Sequence, residues 1–139
     1  MKTKTNSLSF LEKQRITSRL AELAESQEEV LFAYLYGSFL DDMPFHDIDI
    51  GVYVSGIGED EAGFFAVGFA SRLNKAIGLE IDVRVLNFAP VSFVYHVISG
   101  QAFFERSPET RSRIVEDAIQ RYLDIKPVLY RAMKEAFAT

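Results

Sequence analysis

The chain has no cysteine, only two histidines and four prolines, and fewer cationic than anionic side chains. Without cysteine there can be no disulfide and no thiolate metal site. Fifteen Lys and Arg against twenty Asp and Glu leave a net charge of −5. That balance argues against a protein that grips long nucleic acid, because a phosphate backbone is held by clustered cations. It leaves room for a single nucleotide, whose charge a bound metal can neutralise. Long apolar runs are also missing. The uncharged stretch Asn87 to Phe104 is interrupted by Pro90, Ser92, His96 and Gly100, so no membrane span is expected. The opening MKTKTNSLSF is basic but has no apolar centre, unlike a signal peptide. The expectation is a cytoplasmic protein with no membrane partner. Repeats and low-complexity linkers are absent too, and 139 residues suit one domain that buries roughly two thirds of its unfolded surface.

What is present centres on Val30 to Val54. An apolar run, Val30 to Tyr36, ends at Gly37-Ser38, and Asp47-Ile48-Asp49-Ile50 opens a second apolar segment after a polar connection. On a strand, side chains alternate faces, so Asp47 and Asp49 project to one side and Ile48, Ile50, Val52 and Val54 to the other. Two carboxylates so placed stand roughly 6.6 Å apart along the strand. At an effective dielectric near 20 they repel by roughly 2–3 kcal/mol. A divalent cation offsets such repulsion, and hard oxygen ligands suit Mg²⁺.

The other elements follow from spacing and caps. Ser9 and Glu12 form a capping box ahead of a helix over about 9–26, with Phe10, Leu11, Ile16, Leu20 and Leu23 at helical spacing. Val30 to Tyr36 has no charged residue and reads as a central strand covered on both faces. Glycine at 37 lets backbone approach a ligand, and the Ser38 hydroxyl can bond phosphate oxygens. Glu59-Asp60-Glu61 suits a helix start, Phe64 to Ile77 continues it, and Gly78 closes it. Its phenylalanines read as core. Glu80 to Leu86 alternates as a strand, with Glu80, Asp82 and Arg84 on the polar side. Asp82 is then a candidate third carboxylate from a neighbouring strand. Pro90 opens a short helix, Val91 to Ile98, and Gln101 to Glu105 reads as the last strand. Ser107-Pro108-Glu109 starts a final helix over about 107–137, with a kink or break expected at Pro127. His46 reads as a solvated loop residue and is left out of the site. The core thus spans about 30–105.

Tyr36-Gly37-Ser38, Asp47-Ile48-Asp49-Ile50, and Ile81-Asp82-Val83 followed by Leu86-Asn87-Phe88-Ala89-Pro90 together resemble the minimal nucleotidyltransferases of the polymerase-β superfamily. In particular they are similar to the MNT-type antitoxins, whose toxin partners carry a HEPN domain. Gln101 to Glu105 and Tyr122 to Pro127 extend the likeness through most of the chain beyond the first helix. The resemblance implies an α/β fold, a short mixed β-sheet flanked by helices. It implies Mg²⁺-dependent transfer of AMP from ATP to a hydroxyl, in this branch a tyrosine of a cognate HEPN toxin. Carried over, Asp47 and Asp49 hold Mg²⁺, in a site with room for two ions. Asp82 completes the metal site or takes the acceptor's proton, and Gly37 and Ser38 hold the triphosphate. One departure stands out: eight residues rather than the usual ten separate Ser38 from Asp47, and Leu40-Asp41 occupy the place of a small and a basic residue. Two alternatives remain beside the enzyme, a contact-only antitoxin with a degenerate site and a transferase acting on an aminoglycoside-like small molecule. A homo-oligomer is compatible with all three.

Overall fold

The structure, a computed structural model, describes residues 5–138. Met1–Lys4 and Thr139, the ends of the expected single domain, lie outside the described residues. The chain runs α1 (Phe10–Glu25), β1 (Val30–Tyr36), β2 (Ile48–Val54), α2 (Ala62–Ile77), β3 (Ile81–Val85), α3 (Val91–Ile98), β4 (Gln101–Glu105) and α4 (Pro108–Ala136). The four strands form one mixed sheet in the order β3-β2-β1-β4. β1 pairs antiparallel with both β2 and β4, and β2 pairs parallel with β3. Parallel neighbours need a crossover, and α2 supplies it. The α/β expectation of a short mixed sheet flanked by helices therefore holds.

Local signals explain most boundaries. The Ser9 hydroxyl accepts from the Glu12 amide at 3.2 Å, and the Glu12 carboxylate accepts from the Ser9 amide at 3.1 Å. Gly78 ends α2 with φ +81°, a left-handed conformation that glycine adopts without strain. Ser107 caps α4, with Pro108 at its first position. At Pro127 the helix continues unbroken, contrary to a break there. An interior proline costs about 3 kcal/mol or more, and a helix of 29 residues carries many other hydrogen bonds.

Alternation divides the core into two parts. On one face Ala33, Leu35, Ile48, Ile50, Val52, Val54, Ile81 and Val83 pack against Leu20 and Ala24 of α1 and Phe69 and Leu73 of α2. On the other, Phe32, Tyr34, Tyr36 and Leu86 pack against Val97, with Phe93 and Val94 of α3 and Ile114 and Val115 of α4 at the margin. Not every helical apolar residue joins in. Phe64 is 88% exposed, so the phenylalanine stripe of α2 is only partly core. Phe10 and Leu11 of α1 and Ile125, Leu129 and Met133 of α4 are exposed as well. Among the described residues, no helix is long and apolar enough to cross a membrane.

Candidate active site

The site forms where β1 ends and β2 and β3 begin. Because β1 is antiparallel to β2, Tyr36 at the end of β1 lies opposite Asp49 near the start of β2. Because β2 is parallel to β3, Asp49 lies beside Asp82 in register. Neighbouring strands run about 4.8 Å apart, so the two carboxylates leave the same face as close neighbours. Asp47 stands just ahead of β2, half-buried like the other two. Ile48, Ile50 and Ile81, the sequence neighbours of the acids, point into the opposite core. The sheet thus sets Asp49 and Asp82 side by side with Asp47 two residues before Asp49, and Gly37 packs against Asp49.

Gly37 has φ +81°, and a Cβ built on it would fall 2.5 Å from the Asp49 carboxylate oxygen. Both facts require glycine: the first for backbone strain, the second for space. From Gly37 the chain enters a single 3-10 turn, Ser38–Leu40, in which the Leu40 amide donates to the Gly37 carbonyl at 3.2 Å and the Asp41 amide to the Ser38 carbonyl at 3.0 Å. Gly51 follows Asp49 on the same face of β2. A Cβ there would meet Val97 at 2.5 Å and Leu86 at 3.1 Å, so its absence lets α3 settle onto the sheet.

The electrostatics follow from crowding. Burial, then the charges of Asp47 and Asp82, push the Asp49 carboxyl up from 3.8 to about 6, against smaller opposing effects of Arg84 and His96. Burial, then Asp49 and Asp82, push the Tyr36 hydroxyl up to about 12. Three residues not foreseen from sequence therefore face the acids: Tyr36, Arg84 and His96. The Arg84 Nε lies 3.4 Å from the Asp82 carboxylate, a half-exposed pair that contributes little to stability. The Tyr36 ring meets His96 and Phe93 edge-on at 5.7 and 5.8 Å. His46 is exposed, as expected.

A donor set of carboxylates at mutual repulsion suits a hard divalent cation. Among the described residues, no three acidic or histidine side chains stand close enough to close a metal cage alone. Mg²⁺ does not need such a cage. It binds through one or two carboxylates and completes its octahedron with water and substrate phosphates. The residues present fit that mode, with Asp49 and Asp82 side by side and Asp47 adjacent.

Comparison with known proteins gives the lineage. A chain of the Shewanella oneidensis complex of a tri-AMPylated HEPN toxin with an MNT antitoxin superposes with a TM-score of 0.71 at 16% identity, over 91% of this chain and 99% of that one. A toxin–antitoxin structure with AMP-PNP gives 0.72 at 16% identity, over 88% and 98%, and an MntA–HepT toxin–antitoxin structure gives 0.70 at 16%, over 90% and 99%. At such identity these likenesses establish the fold. By sequence, no curated protein matches. The sequence model of the polymerase beta nucleotidyltransferases matches residues 18–109, which include both strands of the acidic pair and the Gly37-Ser38 turn. The chain belongs to the polymerase beta nucleotidyltransferase family.

Proposed function

We propose that the protein transfers AMP from ATP to a hydroxyl on a HEPN-domain partner and so acts as that partner's antitoxin. The observation that carries this reading is the in-register pair Asp49 and Asp82, with Asp47 adjacent and the Gly37 backbone pressed against Asp49. The partner is suggested by the similar structures, which are complexes of toxin and antitoxin, one with an AMPylated HEPN toxin and one with AMP-PNP. Asp47, Asp49 and Asp82 would hold Mg²⁺. When bound, the metal would neutralise the acids and the triphosphate and stabilise the oxygens of an in-line displacement. Gly37 and Ser38 hold the triphosphate, with no Cβ at 37 to keep it away from Asp49. Asp82, beside Arg84 on the rim, would complete the ion's ligands or accept the proton of the attacking hydroxyl. Tyr36 stays protonated at neutral pH, so its hydroxyl can donate to an acidic neighbour.

Incubation with Mg²⁺, α-labelled ATP and the candidate partner tests the reading. Label should appear on the partner and vanish with Asp47→Asn or Asp49→Asn. A second reading, silencing by contact alone, is favoured by the loop, where Leu40-Asp41 stand in place of a small and a basic residue. Neutralisation of the partner that survives both substitutions, with no label transferred, would select it.

A further inference from the structure

The turn that carries Gly37 and Ser38 contains no cation of its own, yet a cation holds it. The Lys13 ammonium, from the second turn of α1, donates to the Phe39 carbonyl at 2.9 Å and to the Asp41 carbonyl at 2.6 Å. It lies 5.3 Å from the centre of the Phe39 ring and 5.2 Å from that of Phe45, within cation–π range of both. Those rings meet edge-on at 5.0 Å. Phe39 and Phe45 are buried, so the ammonium sits on a fixed aromatic floor. Further along the same loop, Asn6 and Phe45 exchange backbone hydrogen bonds of 2.7 and 3.0 Å. The connection between the two site strands is thus fastened twice by the segment before residue 18, where the family match begins.

We propose that Lys13 is a positioning residue for the nucleotide loop, bracing from α1 a turn that has no cation of its own. Two charge-assisted bonds to carbonyls on either side of Leu40 fix the 3-10 turn. That fixes the Gly37-Ser38 backbone over Asp49. The ammonium places two of its three donors on backbone oxygens of the turn, so its effect on a triphosphate is read through loop geometry. The inference rests on the reading of Gly37 and Ser38 as the triphosphate loop, and its test separates the two.

Lys13→Met keeps the aliphatic stem over the rings and removes the donors; Lys13→Arg restores both donors and charge. Hydrogen exchange of the Leu40 and Asp41 amides, which close the turn, reads the brace without any ligand. Exchange should quicken about tenfold in Lys13→Met, the loss expected for hydrogen bonds to a charged group, and recover at least in part in Lys13→Arg. With ATP and Mg²⁺, Lys13→Met should raise the KM for nucleotide about tenfold and change kcat less than threefold, again with recovery in Lys13→Arg. Thermal melting identifies a variant that fails to fold; Lys13→Leu, which also lacks donors, then carries the same comparison. Loop exchange equal to wild type in a folded variant overturns the proposal, as does a fall in kcat at unchanged KM. If the wild-type protein binds and transfers no nucleotide, the functional reading fails, while amide exchange still decides whether Lys13 orders the turn.

Discussion

The two faces of the sheet use the same strands for opposite ends. On the α1/α2 face, β2 presents Ile48, Ile50, Val52 and Val54, all at most 2% exposed, to a closed apolar core. On the α3/α4 face the alternate residues are Asp49, Gly51 and Tyr53, and the covering is partial. One face is filled to hold the sheet together. The other is left open at the strand ends so that acids can meet. The comparison teaches that period-two alternation is what lets a short chain keep a charged cluster within about one side chain of its core. The repulsion in that cluster is set against apolar burial on the far side of the same backbone.

If the division is real, changes on the two faces should separate. Substituting Asp82→Asn, on the open face, should lower transfer about a thousandfold, roughly 4 kcal/mol of transition-state stabilisation, with little change in melting temperature. Steady-state kinetics beside thermal melting reads both. Ile50→Ala, one residue from Asp49 but on the closed face, should remove about 3 kcal/mol of stability, because a buried side chain leaves a cavity. The molecules that remain folded should keep their nucleotide affinity, which denaturant titration and calorimetry together measure. Gly51→Ala lies between these extremes. Its new methyl meets Val97 and Leu86, so overpacking should destabilise by about 2 kcal/mol and push α3 off the site, reducing activity as well.

The smallest effect concerns pH. The folded-state value of Asp49, about 6, lies above its ordinary 3.8, so the folded protein holds that proton more tightly than the unfolded chain. Stability without metal therefore falls as pH rises from 3.8 to about 6, and the loss is complete above that range. Asp49→Asn should be more stable than wild type at pH 7 by about 1 kcal/mol, a figure reduced for solvent screening at a half-buried group. The gain should disappear at pH 3.5, where both states of the wild type carry the proton. Chemical denaturation at the two pH values measures it.

Which parts were readable in advance follows the same division. Alternation in Ile48 to Val54 and in Glu80 to Leu86 gave each strand its polar side, because period two survives in any sequence that buries one face. The caps at Ser9, Gly78 and Ser107 marked helix ends through local hydrogen bonds, which need no tertiary information. The adjacency of Asp49 and Asp82 is different. It depends on a parallel pairing made across α2, and spacing along the chain carries no register. Tyr36 was hidden in an apolar run that reads as pure core, although its hydroxyl ends beside the acids. Arg84 was visible two residues after Asp82 on the same side of β3, a signal outweighed by the reading of that side as exposed mixed charge. His96 belongs to α3, whose placement over Gly51 is set by packing. At Pro127 a local rule gave way, since a long helix absorbs one missing donor. The braces from Lys13 and Asn6 span 28 and 39 residues of sequence and left no local trace.

Paramagnetic broadening by Mn²⁺ in place of Mg²⁺ asks whether the three acids share one ion. In the protein without nucleotide, amide signals of residues 37–38, 47–50 and 82–84 should broaden together at the lowest metal concentrations, and an Asp49→Asn, Asp82→Asn double variant should lose that response. Broadening confined to the surface acids Glu59, Asp60 and Glu61, or spread evenly over the chain and unchanged in the double variant, would contradict a shared metal site.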